Sequence, residues 1–195
     1  MMSGIAKEIR AAVLLFLAMS VLTGLAYPLF ITGVVQRLMP EQAEGSLLVA
    51  EGKVVGSELI GQNFTNPGYF HGRPSAVGYA ANGSGASNFG PTSSKLMDQV
   101  RLRIEQVRRE NNLSLNTSVP GELVLASASG LDPHISLEGA MLQVPRVSRA
   151  RGLLESEVKV LVYQNVEPAQ FEVLGQKRVN VLRLNLALND LMKRR

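Results

Sequence analysis

Gly85 and Gly90 stand at the G-x4-G spacing of a phosphate-binding loop, the first pattern in this chain that could do chemistry. In such a loop successive backbone N–H groups cradle phosphate oxygens, and a following lysine supplies the charge that meets them. Here the next two residues are Pro91 and Thr92. A proline has no N–H to donate and a threonine carries no charge, so the stretch predicts a turn rather than a nucleotide cradle. His71 and His134 are far apart in sequence, and Asp132 is the carboxylate nearest to either. Two isolated imidazoles fall short of a zinc ligand set, so no metal site is expected. Asp132-Pro133-His134 predicts a helix-entry turn instead. Ser127-Ala128-Ser129-Gly130 lacks the first glycine of a G-x-S-x-G nucleophile elbow, and no carboxylate pair stands out from the scatter. The residues nominate no catalytic group and no cofactor of the chain's own.

The elements that would position any site begin with an apolar run, Ala11 to Val35, which contains no charged side chain. At about 1.5 Å per residue it is long enough to cross a bilayer core of about 30 Å with some tilt. Pro28 removes one backbone donor and predicts a kink, which membrane helices tolerate. A cleaved signal peptide is the alternative: Lys7 and Arg10 make a basic start, and Gly24-Leu25-Ala26 passes as a cleavage site. The apolar residues that continue through Val35 favour a retained anchor. Lys7 and Arg10 precede the run and Arg37 alone follows it closely, so charge bias keeps residues 1–10 in the cytoplasm. Residues 11–35 then form the transmembrane helix and 36–195 a periplasmic domain.

Composition narrows that domain. The chain has 195 residues, a net charge of +4, 5% aromatics, no Trp and no Cys. About 160 residues after the span suffice for one real core, without disulfides or thiolate metal sites. Few aromatics and no Trp argue against a nucleic-acid partner. Arg101, Arg103, Arg108 and Arg109 share a segment with Asp98, Glu105 and Glu110, which predicts a solvated helix face.

In order, Ser46 to Gly61 predicts a hairpin turning at Glu51-Gly52. Gln62 to Thr92 is rich in Gly, Asn, Ser and Pro, and so long a loop is uncommon unless it has a function. Its Phe64, Tyr69, Phe70, Tyr79 and Phe89 argue that it packs. Ser93 to Asn111 is an amphipathic helix, with Leu96, Val100, Ile104 and Val107 at helical spacing. Glu122 to Ala126 is apolar and β-prone. Ser136 is the expected N-cap of a helix that Pro145 kinks, and a further helix covers Leu153 to Gln164. The alternation from Val179 to Leu188 predicts a strand, with a bulge where the pattern slips at Val181-Leu182. The sum is an α+β fold: one N-terminal transmembrane helix, then one mixed α/β soluble domain.

Four blocks carry a resemblance. GSELIGQNFTNPGYFHGRPSA (56–76), SGASNFGPTSSKL (84–96), ASASGLDPHIS (126–136) with QVPRVSRARGL (143–153), and VNVLRLNLAL (179–188) follow one another behind the apolar helix. In that order they resemble the C subunits of bacterial high-affinity potassium-transporting P-type ATPases, the Kdp system. Ala86 and Ala128 stand where Gly is usual, and Leu137 where Pro is.

The resemblance implies an accessory subunit in the bacterial inner membrane that hydrolyses nothing itself. Its partners would be a potassium-conducting subunit, a subunit that hydrolyses ATP, and a small stabilising peptide. It also implies a catalytic-chaperone role that raises the ATPase subunit's nucleotide affinity, and by position Gln143 would be the nucleotide contact. ATP would then act through the complex. A domain outside the cytoplasm has no ATP supply, so a stabilising or gating role is expected; Phe64, Tyr69, Phe70, Tyr79 and Phe89 either form its docking surface or fill the domain's own core. Gly24, among small residues of the span, would pack on a partner helix. The competing class is a free-standing, membrane-anchored periplasmic enzyme or binding protein, which would need a pocket with converging polar groups.

Overall fold

A computed structural model describes residues 2–193, with side chains from Gly4 onward. Met1, the Ser3 side chain, Arg194 and Arg195 lie outside the described residues, and with them the two ends of the expected 1–10 and 36–195 segments. The chain divides into two compact units, Met1–Leu47 and Leu48–Arg195.

The first unit is built on a helix, α1 (Met2–Val21) continuing through a π-helical turn (Leu22–Ala26) into α2 (Tyr27–Leu38). This turn lies just before Pro28, where the sequence predicts a kink. Pro28 has no N–H, so the regular i→i−4 ladder cannot be completed; the Tyr27 N–H reaches one residue further back, to the Leu22 carbonyl. Thr23 Oγ1 donates to the Met19 carbonyl at 2.7 Å, which satisfies its hydroxyl within the helix. Among the described residues, Gly4–Leu38 is the one helix long and apolar enough to cross a membrane. Between Ala11 and Val35 its apolar side chains, Phe16, Leu29 and Phe30 among them, are exposed all round the helix, the pattern that a membrane span requires. A short α3 (Pro40–Ala43) follows.

The second unit is α+β. The expected hairpin forms from β1 (Leu47–Ala50) and β2 (Lys53–Ser57), with Glu51 and Gly52 both at positive φ in the turn. No helix or strand interrupts residues 58–93. Then comes α4 (Ser94–Asn111), ended by Asn112 in the left-handed conformation. Next are β3 (His134–Ser136), α5 (Leu137–Arg151), α6 (Glu155–Gln164), β4 (Val166–Glu167), β5 (Arg178–Asn180) and α7 (Val181–Lys193). Strands β3, β5 and β4 form one antiparallel sheet with β5 central, pairing Val179 with Ile135 on one side and Val166 on the other. The core joins Val144 and Val147 of α5, Val158 and Val162 of α6, and Leu184 and Leu188 of α7.

Three expectations fail locally. Glu122 to Ala126 is not a strand: a single 3-10 turn (Gly121–Leu123) buries Leu123, and Leu125 N–H closes on the Gly121 carbonyl. Asp132-Pro133-His134 leads into β3 rather than a helix, with Asp132 Oδ1 accepting from His134 N–H at 3.0 Å. The strand expected through Leu188 stops at Asn180. From Val181 the chain is helical, and the slip at Val181-Leu182 is the change of period itself. Val181, Leu184, Asn185 and Leu188 are buried at a spacing of three and four, the inward stripe of a helix. Pro145 sits within α5, which continues as one element to Arg151.

The long 58–93 segment is held down by backbone bonds to a second irregular stretch. Gly61 N–H donates to Leu131 O, Gly85 N–H to Ser129 O, and Ser127 N–H to Pro74 O. Gly61 has no substitute here: a Cβ would lie 2.5 Å from the Asp132 carbonyl oxygen. Phe70 of the same segment is fully buried, and its N–H and C=O are both taken by the Asn185 carboxamide at 2.8 and 3.0 Å.

Asn185→Ala leaves that backbone pair buried without a partner, at a cost of about 1–3 kcal/mol per orphaned group. Denaturant unfolding of the full chain in detergent is expected to show about 2–4 kcal/mol lost. A loss below about 0.5 kcal/mol would mean that water replaces the amide.

Candidate functional site: a polar cleft beside a laced loop

Five residues of the long segment, 66–70, run under α5 and are gripped from it by two arginines. Arg146 is buried, 5% exposed, and each of its nitrogens donates to the chain itself. Nε donates to Asn111 Oδ1 at 3.0 Å, Nη1 to the carbonyls of Pro67 and Tyr69, and Nη2 to Gln143 Oε1 at 2.7 Å. Burial pushes its pKa down to about 10, with Glu110 opposing, so it stays cationic at neutral pH. One turn along, Arg151 Nε donates to Gly68 O at 2.7 Å, and its guanidinium stacks 4.3 Å above the Tyr69 ring.

Gln143 shares the face of α5 that carries Arg146, because residues three apart lie one above the other. Its Oε1 accepts from His71 N–H at 2.8 Å and from Arg146, and its Nε2 donates to the carbonyls of His71 and Gly139, both at 3.1 Å. A primary amide has two donors and two acceptor lone pairs, so all four are in use. Gln143 nevertheless borders a cleft of ≈ 340 Å³, together with His71, Tyr79, Arg103, Glu110 and Asn111.

His71 places Nε2 3.1 Å from Asn66 O and Nδ1 3.5 Å from Glu110 Oε2. Burial is the largest influence and pushes its pKa down; the positive charge of Arg146 adds to that, and the contacts with Asn66 and Glu110 only partly offset it. A second charged chain lies at the sheet edge. Arg73 donates to Asp132 at 2.9 Å, His134 lies between Asp132 (3.7 Å) and Glu167 (3.6 Å), and Arg178 closes on Glu167 at 3.0 Å. Burial pushes Asp132 up, but hydrogen bonds from His134 and Arg73 outweigh it and hold its carboxyl below the usual range.

The five aromatics named from sequence do not form one surface. Phe70 is a core residue, 0% exposed, so as a docking contact it is corrected: its ring is spent on the domain's own interior. Phe64 and Tyr69 pack as a tilted pair 5.5 Å apart, and the Tyr79 hydroxyl donates to the Arg73 carbonyl. Phe89 is half-buried. Gly24 lies in the π-helical turn, with open space where a Cβ would stand. The α4 arginines are not simply a solvated face, since Arg103 donates to Val124 O at 3.0 Å and Arg108 to Thr117 O at 3.2 Å. Sequence reading missed Arg146, Arg151, Asn111 and Asn185. Their signal was present: Arg146 and Asn185 interrupt the apolar faces of α5 and α7, where a polar side chain must have a buried partner.

Because the folded pKa of His71 is lowered, the unfolded chain takes up this proton first. The contribution of a neutral His71 is complete above its ordinary value of 6.5 and is lost as pH falls below it toward the folded value. The denaturation midpoint of the wild-type chain is expected to drop more between about pH 7 and about pH 5 than that of His71→Gln. Parallel profiles would show that His71 does not carry the dependence.

Comparison with known proteins follows the same outline. The family model of the K+-transporting ATPase c chain, KdpC, matches residues 9–190. The chain is 51% identical over 186 residues to the potassium-transporting ATPase KdpC subunit of Rhodospirillum rubrum, covering 94% of this chain and 96% of that one. It is 52% identical over 186 residues to the protein of that name from Polaromonas naphthalenivorans (94% of each), and 50% over 191 residues to that of Dechloromonas aromatica (95% and 98%). Matches of this extent, over both the apolar helix and the α+β unit, show that the chain belongs to the KdpC family of K+-transporting ATPase subunits.

Proposed function

We propose that this chain is the accessory, non-hydrolysing subunit of an ATP-driven potassium uptake complex of the bacterial inner membrane. In this reading residues 11–35 anchor it, residues 1–10 remain in the cytoplasm, and the α+β unit works in the periplasm. It stabilises the assembly of a potassium-conducting subunit, an ATP-hydrolysing subunit and a small peptide, and gates or modulates the pump from outside. The observation that carries this reading is the occupancy of Gln143. Its amide is saturated by the loop and by Arg146, so a nucleotide would have to displace internal bonds to reach it. Lys7 and Arg10 before the span, against Arg37 close behind it, support the outward domain.

A second reading has one observation in its favour: the cleft beside Gln143 also carries Arg103, a cation suited to phosphate. There Gln143 contacts ATP directly and the domain acts as a catalytic chaperone for the ATPase subunit. The two readings place the domain on opposite sides of the membrane.

The chain has no cysteine, so Ser3→Cys and Ser114→Cys report topology cleanly. A membrane-impermeant thiol reagent on intact spheroplasts is expected to label Ser114→Cys and spare Ser3→Cys. The reverse pattern would restore the nucleotide reading. In calorimetry the full-length chain in detergent is expected to show no saturable ATP site tighter than about 1 mM (−4.1 kcal/mol). A micromolar site abolished by Gln143→Ala would refute this reading in favour of direct nucleotide contact.

A further inference from the structure

Between β4 and β5 the chain makes a short tongue that contributes nothing to the core. Gln170 and Leu174 pair both ways, N–H to carbonyl, at 2.8 Å. Glu172 N–H returns to Ala169 O at 3.0 Å and Val173 N–H to Gln170 O at 3.2 Å. The tip is therefore held by four backbone bonds. At its apex Phe171 and Glu172 have φ of 53° and 62°, the left-handed region that primed turns need and that glycine and asparagine normally supply. A phenylalanine and a glutamate in succession there are strained. Folding does not repay that strain: Phe171 is 84% exposed, Val173 81% and Leu174 60%.

We propose that the 169–175 tongue is a docking element that inserts into a pocket on another subunit of the potassium-transporting ATPase, a pocket with apolar walls and a basic side chain. This rests on the assembly role given above. Charge decides the occupant. The Glu172 carboxylate sits between two outward apolar side chains and has no ion pair within the described residues. A lipid surface would accept Phe171, Val173 and Leu174 but not a carboxylate carried in with them, since both acyl chains and anionic headgroups reject it. A protein pocket with an arginine or lysine satisfies all four residues. Presenting the apex already turned also removes much of the ordering cost of binding.

The full chain is co-expressed with the other ATPase subunits, and the complex is purified in mild detergent. Phe171→Ser with Val173→Ser is expected to weaken retention of those subunits by about tenfold, and Glu172→Lys to do so as well. The unfolding midpoint of the chain itself should stay within error of wild type, because none of these side chains is buried. A photo-reactive benzoylphenylalanine in place of Phe171 should cross-link to another subunit of the complex. Adducts only with lipid, only with a second copy of this chain, or with nothing would overturn the tongue as a docking element. Wild-type retention with undiminished retention of the double variant would overturn it alone; failure of the wild-type chain to associate would overturn the assembly role too.

Discussion

Two side-chain amides in the interior of this domain stand in for a missing β-strand. Asn185 takes the N–H and C=O of Phe70, and Gln143 takes those of the next residue, His71. An extended backbone that enters a core must have its polar groups paired, and a sheet neighbour usually does this. Here α5 and α7 flank the segment, and each contributes one carboxamide that can both donate and accept. The rest of the fold is arranged around that pair of clasps. Arg146 and Arg151 hold the residues just before them, Asn111 at the end of α4 orients Arg146, and Phe70 fills the space between the helices.

Such a design concentrates polar groups where apolar ones would be expected. Arg146 is cationic and buried without a paired carboxylate among the described residues; the charge of Glu110 opposes the effect of burial but is outweighed by it. Its hydration is replaced by carbonyl dipoles, an arrangement that holds only while the loop keeps its path. The interior is thus conditional on the loop, and the loop on the interior. A segment with that mutual dependence can be long and still ordered, which resolves why residues 58–93 carry no helix or strand yet pack.

Most of the architecture was legible from pattern. The hairpin at Glu51-Gly52, the amphipathic helix to Asn111, the Ser136 cap and the helix ending at Gln164 follow from turn chemistry and apolar spacing, and each is present. Residues 179–188 were misread because leucines at 182, 184, 186 and 188 satisfy a period of two, while Val181, Leu184 and Leu188 also satisfy a helical one. Asn185 decides between them: on the helical stripe it faces inward and meets Phe70. The loop's own partners were not legible. Nothing local connects Phe70 with a residue 115 positions away, and a glutamine saturated by backbone looks in sequence like one waiting for a ligand.

The turn at Leu22–Ala26 changes how the apolar helix can be inspected. A π-turn adds one residue to a helical circuit, which rotates everything beyond it by about 100° relative to an unbroken helix. A helical wheel drawn straight through residues 11–35 therefore misplaces Gly33 by about 100° relative to Ala18. Any stripe of small residues, or any mutational scan phased on such a wheel, has to be re-phased past Ala26 before the two halves can be compared.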